Sequence, residues 1–143
     1  MTKFKEYYEK HKEEILKRLS LYQKNRYKND IEFKLRKRIE ARIKQELPNY
    51  DGTIEELLGC NIPFLRKWLR FLGGKKINWD NIHLHHVRAI NTFSENKKED
   101  AYHWTNITLL PASENLSIKD TRDTNAEKRQ QKLVHQFLLV TQL

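Results

Sequence analysis

The spacing of hydrophobic positions changes once along the chain, and the change divides it. Over residues 3–28, Phe4, Tyr8, His11, Ile15, Leu19 and Tyr22 recur every three or four positions, the stripe of a single helix face. Lys and Glu fill the other faces, with Glu13–Lys17 and Glu14–Arg18 at the favourable i,i+4 spacing. So narrow a stripe buries little by itself. It predicts a long exposed helix that packs on a partner helix or on its own copy. Asn29-Asp30 reads as a helix stop followed by an N-cap. The next helix, 31–47, carries Ile31, Leu35, Ile39, Ile43 and Leu47 at every fourth position and ends at Pro48. Lys34, Arg36, Lys37, Arg38, Arg42 and Lys44 take its remaining faces, as expected of a helix lying between a core and a phosphate backbone.

Two shorter helices follow. Thr53 and Glu56 form a capping box for the first, which Gly59 closes. Asn61 caps the second, with Pro63 in its first turn and Gly73-Gly74 at its end. Phe64, Leu65, Trp68, Leu69 and Leu72 face its core side, with Arg66, Lys67 and Arg70 pointing out. Beyond the glycines the helical period stops. Ile82, Leu84 and Val87 predict a short strand, residues 94–100 a polar loop, and Trp104, Ile107, Leu109 and Leu110 a second strand stopped by Pro111. Ser113 then caps a short helix carrying Asn115, and Asn125 caps a C-terminal helix with Leu133, Phe137, Leu138 and Val140 on its apolar side. That last helix is expected to pack back on the body or to form a dimer face. The fold class predicted is mostly α with a small ββα unit suited to a metal, behind a long basic N-terminal helical arm. The divisions are an arm over 1–50, a core with its preceding helices over 51–125, and a packing helix over 126–143.

Composition narrows the setting. The 143 residues suit one domain or a small domain with an arm. No apolar run approaches the ~18 residues of a membrane span, and the first residues, MTKFKEYYEK, lack the apolar segment of a signal peptide. The single Cys60 allows neither an internal disulfide nor a cysteine zinc cluster. The expectation is an intracellular, cytoplasmic protein without a membrane partner, in a host cell if the source is a phage or virus. The net charge of +9 is uneven: residues 1–50 hold 15 Lys/Arg against 8 Asp/Glu, and residues 51–143 hold 13 against 11. A basic arm on a nearly neutral body is an electrostatic footprint of nucleic-acid binding, and double-stranded DNA is the expected partner.

The candidate chemistry is concentrated after residue 82. His83, His85, His86 and His103, four of the six histidines, bracket one loop. Asn106 follows His86 by 20 residues and Asn115 follows Asn106 by 9. Phosphodiester hydrolysis needs an activated water, charge stabilisation at phosphorus and help for the leaving oxygen. One divalent ion can supply the last two. His85 and Asn115 are the expected metal ligands, leaving an open sphere for phosphate and water. His86 is the expected general base, since an imidazole with an ordinary pKa of about 6.5 accepts a proton near neutrality. Adjacent strand residues point opposite ways, so one histidine can hold the metal while the other addresses water. Asn106 is expected to lock the His86 tautomer and brace the turn. His83 and His103 are candidates for supporting contacts behind these groups. Arg88, Lys119 and Arg122 join Lys34, Arg36, Lys37, Arg38 and Arg42 as candidate phosphate contacts.

These blocks resemble the HNH endonucleases, including those of phages and large DNA viruses. The resemblance rests on Gly59-Cys60, NWDN at 78–81, HLHHVRAINTF at 83–93, TNITLL at 105–110 and ENLS at 114–117. It implies metal at His85 and Asn115, the base at His86 and an orienting amide at Asn106. The sequence departs from the family pattern in five places: His85 replaces the usual Asp, Ala89 a Pro, and Thr108-Leu109 a Gln-Pro, Lys119 stands for a lysine normally closer to the Ser, and the segment before His83 is a few residues short. The implied ion is magnesium or manganese; because the imidazole of His85 is a softer ligand than carboxylate, nickel or zinc are alternatives. Three other functions fit the sequence less closely: a non-catalytic DNA-binding HNH scaffold, a helical oligomer with structural zinc, and an RNA-cleaving enzyme. The expected role is homing-like or restriction-like cleavage.

Overall fold

The apolar edge of the second helix sets the core. Leu35, Ile39 and Ile43 are buried at successive turns of α2 (Ile31–Glu46) and pack with residues of every later part of the fold. The computed structural model describes residues 2–74, 77–80, 82–111 and 122–141. Around α2 lie α1 (Lys3–Asn29), α3 (Ile54–Leu58) and α4 (Ile62–Gly73), followed by the antiparallel pair β1 (Ile82–His86) and β2 (Ile107–Pro111), and by α5 (Thr124–Thr141). The described structure is mostly helical with this small two-stranded sheet. None of its helices is long and apolar enough to cross a membrane.

The predicted caps account for most boundaries. Asp30 ends α1 and caps α2, accepting from the Phe33 amide at 3.2 Å. Thr53 and Glu56 complete their capping box, and Asn61 accepts from the Phe64 amide at 2.8 Å. The C-terminal helix is capped differently from the expectation. Its amides at Asn125 and Ala126 both point to Asp123 Oδ1 at 3.0 Å, because a carboxylate ahead of the first turn can accept from two orphan donors.

Three expectations change in the packing. The arm ends at Asp30 rather than at residue 50, because α2 shares its buried face with α3 and α4. α1 buries no residue, bends at His11 (φ −113°, ψ 15°), and leaves Phe4, Leu19 and Tyr22 exposed. Residues 94–100 are not an irregular loop but most of a 3-10 helix, Glu95–Tyr102, anchored by the buried Ala101 and Tyr102. Trp104 likewise sits in a 3-10 turn, Trp104–Asn106, ahead of β2 rather than within it.

A two-stranded hairpin is marginal alone, and here the helices hold it. Trp68 of α4 is fully buried and donates its indole N–H to the Ile107 carbonyl at 2.9 Å. Gln130 of α5 donates to the same carbonyl at 3.1 Å and to that of Thr105 at 2.9 Å. Phe137 of α5 packs edge-on against Trp68 and Trp104, with ring centroids 5.2 and 5.9 Å away. Leu133 and Val140, expected on that apolar side, are exposed; the inward face runs instead through Gln130, Val134, Phe137 and Leu138.

Gly59 shows a tight dependence of backbone on side chain. It closes α3 at φ +70°, and a Cβ there would lie 2.5 Å from His103 Nε2. Gly59→Ala should therefore cost about 1–3 kcal/mol, combining left-handed strain with the clash. In a His103→Ala background the clash disappears and the cost should fall to the strain alone, about 1 kcal/mol. Urea unfolding midpoints of the four variants in this cycle would check both numbers.

Candidate functional site

The hairpin end gathers the sequence-predicted residues. β1 pairs with β2 so that His86 lies opposite Ile107, His85 opposite Thr108 and His83 opposite Leu110. Strand alternation then separates the two adjacent histidines. Leu84 and His86 turn inward and are buried, whereas His85 is half-buried and His83 exposed on the other face.

Asn106 stands just before β2 and clamps the connection between the strands. Its Oδ1 accepts from the Arg88 amide at 2.9 Å, while Nδ2 donates to the carbonyls of Arg88 at 3.0 Å and Ala101 at 2.9 Å. The Val87 amide adds a 2.8 Å bond to the Asn106 carbonyl. An amide is suited to this work because it accepts and donates at one end of one side chain. The bracing half of the expected role is present, but the contact with His86 is not.

His86 is held instead by Glu46, from the last turn of α2. Its Nε2 lies 3.3 Å from Glu46 Oε1. The same oxygen accepts the Tyr102 hydroxyl at 2.5 Å and lies 3.3 Å from Arg42 Nη2. The Tyr102 ring packs edge-on against the imidazole, with centroids 4.7 Å apart. Burial favours protonation of Glu46, but hydrogen bonds from His86 and Tyr102 and the charge of Arg42 outweigh it and hold the pKa at about 2. Burial and the neighbouring carboxylate push the Tyr102 phenol well up. His86 is only 5% exposed, and its Nδ1 is buried with no hydrogen-bond partner among the described residues.

Glu46 and Tyr102 were not legible as site residues. Glu46 precedes His86 by 40 positions and looks in sequence like one more charge on an amphipathic helix. Its i,i+4 relation to Arg42 was the one local signal. Tyr102 had none beyond standing next to His103.

The basic residues of α2 serve the protein more than the sequence suggested. Lys34 is buried and bonds Asp80 at 2.6 Å. Arg38 donates to the Trp79 carbonyl at 2.7 Å, and Arg42 reaches the Leu84 carbonyl at the centre of β1. Arg36 pairs with Glu55, and Lys37 with Glu40 at 3.2 Å. Trp79 and Asp80 are thus where α2 grips the approach to the hairpin. Arg88 donates to Thr92 and lies 4.1 Å over the Phe93 ring, and Arg122 forks onto Glu127. A cleft of about 330 Å³ opens beside these, with Arg88, Phe93, Asn106, Gln130 and Val134 among its walls.

His103 braces a corner rather than the catalytic candidates. Its Nδ1 is 2.8 Å from Thr105 Oγ1, and burial lowers its pKa against the opposing pull of Asp100. Among the described residues no group of three or more His, Cys, Asp or Glu side chains is arranged to hold a metal. Asn115 and Lys119 lie outside the described residues.

Glu46 predicts a specific acid sensitivity. Its folded-state pKa lies below the ordinary 4.5, so the stability it confers is complete above that value and is lost as pH falls toward 2. The span corresponds to about 3 kcal/mol as an order of magnitude. Urea titrations across that window should show this loss in the wild type and its absence in Glu46→Gln.

Comparison with known proteins adds two relatives. No family model and no solved structure matches the chain. An uncharacterised protein of Acanthamoeba polyphaga mimivirus is 35% identical over 135 residues, covering 89% of this chain and 60% of the relative. A second uncharacterised protein of the same virus is 27% identical over 131 residues, covering 85% of this chain and 58% of the relative. The chain therefore spans about three-fifths of the length of these viral proteins.

Proposed function

We propose that this chain is an HNH-type, metal-dependent endonuclease that hydrolyses DNA phosphodiester bonds. The observation that carries this reading is the hairpin end: β1 finishes in His85-His86, and Asn106 braces the following turn through three hydrogen bonds. His86 accepts the proton of the attacking water, and Asn106 keeps the strand end in place. His85 and Asn115 are the proposed ligands of one divalent ion, which when bound would stabilise charge on the phosphate and on the leaving oxygen. An imidazole ligand from the half-buried His85 suits nickel or zinc better than magnesium.

The electrostatic attraction to DNA is assigned chiefly to α1. Lys3–Asn29 contains nine Lys/Arg against four Glu and buries none of them, whereas Lys34, Arg36, Lys37, Arg38 and Arg42 of α2 already have protein partners. Phosphate contacts of this kind orient a protein without reading sequence.

The burial of His86 favours a second reading, a non-catalytic HNH scaffold that binds DNA. Supercoiled-plasmid cleavage in parallel magnesium, manganese, nickel and zinc, with wild type and His86→Ala, separates the two. The nuclease reading expects metal-dependent nicking or linearisation that falls about 100-fold or more in the variant. Retained plasmid binding without cleavage in any of the metals would establish the scaffold reading.

A further inference from the structure

We infer that Glu46 is a positioning residue that takes the Nε2 proton of His86 and so makes Nδ1 the proton-accepting nitrogen. This rests on the nuclease reading for its catalytic meaning, but the hydrogen-bond assignment stands on its own geometry. Imidazole has two nitrogens, and in the neutral ring one donates while the other accepts. A carboxylate only accepts. With Glu46 Oε1 at 3.3 Å from Nε2, the proton of a neutral His86 belongs on Nε2, and the lone pair falls to Nδ1.

The surroundings make that choice firm. Tyr102 OH donates to the same carboxylate oxygen, and Arg42 lies 3.3 Å away with its positive charge. Both keep Glu46 an acceptor and leave it no proton to offer the ring. Arg42 also bonds the Leu84 carbonyl, so the helix turn that carries Glu46 is tied to the strand that carries His86. The Tyr102 ring edge at 4.7 Å limits rotation of the imidazole. Nδ1, by contrast, has no hydrogen-bond partner among the described residues although His86 is 95% buried. Buried polar atoms are nearly always paired. An imidazole with one nitrogen anchored and the other unpaired has the asymmetry a proton acceptor needs. Catalytic hydrogen bonds commonly tighten only when substrate is seated.

The assignment also replaces the expected one. Asn106 spends its amide on Arg88 and Ala101 and has nothing left to set the His86 tautomer. Glu46 reaches the same ring from a helix that in sequence belongs to the basic arm.

The test uses the full chain labelled with 15N in its histidines. Long-range 15N–1H spectra above neutral pH should show His86 protonated at Nε2, with that proton protected from exchange, and an unprotonated Nδ1. Glu46→Leu, which leaves no acceptor at that position, should lose the exchange protection. Tyr102→Phe removes a donor to the carboxylate and leaves the imidazole contact intact, so it should lower stability yet retain the protected Nε2 proton. If wild-type His86 carries its proton on Nδ1, or if protection survives Glu46→Leu, the assignment is overturned. Should Glu46→Leu fail to fold, the wild-type spectrum alone still decides the tautomer. In the cleavage assay, Glu46→Leu should lower kcat about 10- to 100-fold with KM for plasmid unchanged, and an unchanged kcat would refute the positioning role. Absence of cleavage in the wild type would sink the nuclease reading while the spectra still judge the Glu46–His86 bond.

Discussion

One half-buried carboxylate organises the hairpin. Glu46 Oε1 meets His86 from β1, Tyr102 from the 3-10 helix before β2, and Arg42 from its own helix. A charge taken out of water is costly unless several donors surround it, so these three segments must close on the same point for any of them to be comfortable. Lys34 with Asp80 and Arg38 with the Trp79 carbonyl repeat the arrangement further along α2. α2 is consequently a polar rail as well as an apolar one: its leucine and isoleucine edge fills the core, and its basic edge fixes where β1 begins and ends.

The opposite side of the hairpin is held by aromatic packing and shared carbonyls. The Ile107 carbonyl accepts from both Trp68 and Gln130, joining α4 and α5 at the strand that follows Asn106. Edge-on contacts among Trp68, Trp104, Phe64 and Phe137 add directional preference to the area they bury. Asn106 therefore sits between two fixed bodies, and its three hydrogen bonds transmit that rigidity to the chain leaving His86.

Local chemistry made much of the fold legible. The four-residue spacing of Leu35, Ile39 and Ile43, the Thr53–Glu56 capping box, the Asn61–Pro63 start and the left-handed Gly59 all act within a turn or two of chain, and each appears as the residues suggest. Strand alternation also separated His85 from His86 correctly. What period cannot give is the partner of a polar face. Lys34, Arg38 and Arg42 looked like a phosphate-binding edge because their partners, Asp80, Trp79 and Leu84, lie 46, 41 and 42 residues away. Glu46 was hidden for the same reason. Residues 94–100 misled in another way: without an apolar residue they offered no period, and the 3-10 helix is anchored by Ala101 and Tyr102 just beyond them.

The composition of the Glu46 cluster bears on why it exists. If its purpose were cohesion alone, well-packed apolar side chains of similar volume would serve as well, since buried ion pairs often contribute little net stability. A cluster retained for structural specificity would pair all its members. This one brings His86, Tyr102 and Arg42 onto Glu46 Oε1 and leaves one nitrogen of His86 without a partner among the described residues, at an expected cost of about 1–3 kcal/mol. The cost falls on the one ring of the cluster whose two nitrogens divide donor and acceptor roles, at the end of the strand where His85 turns to the other face. An arrangement that anchors one nitrogen of the ring and leaves the other unpaired is easier to account for as a held proton acceptor than as a fastening.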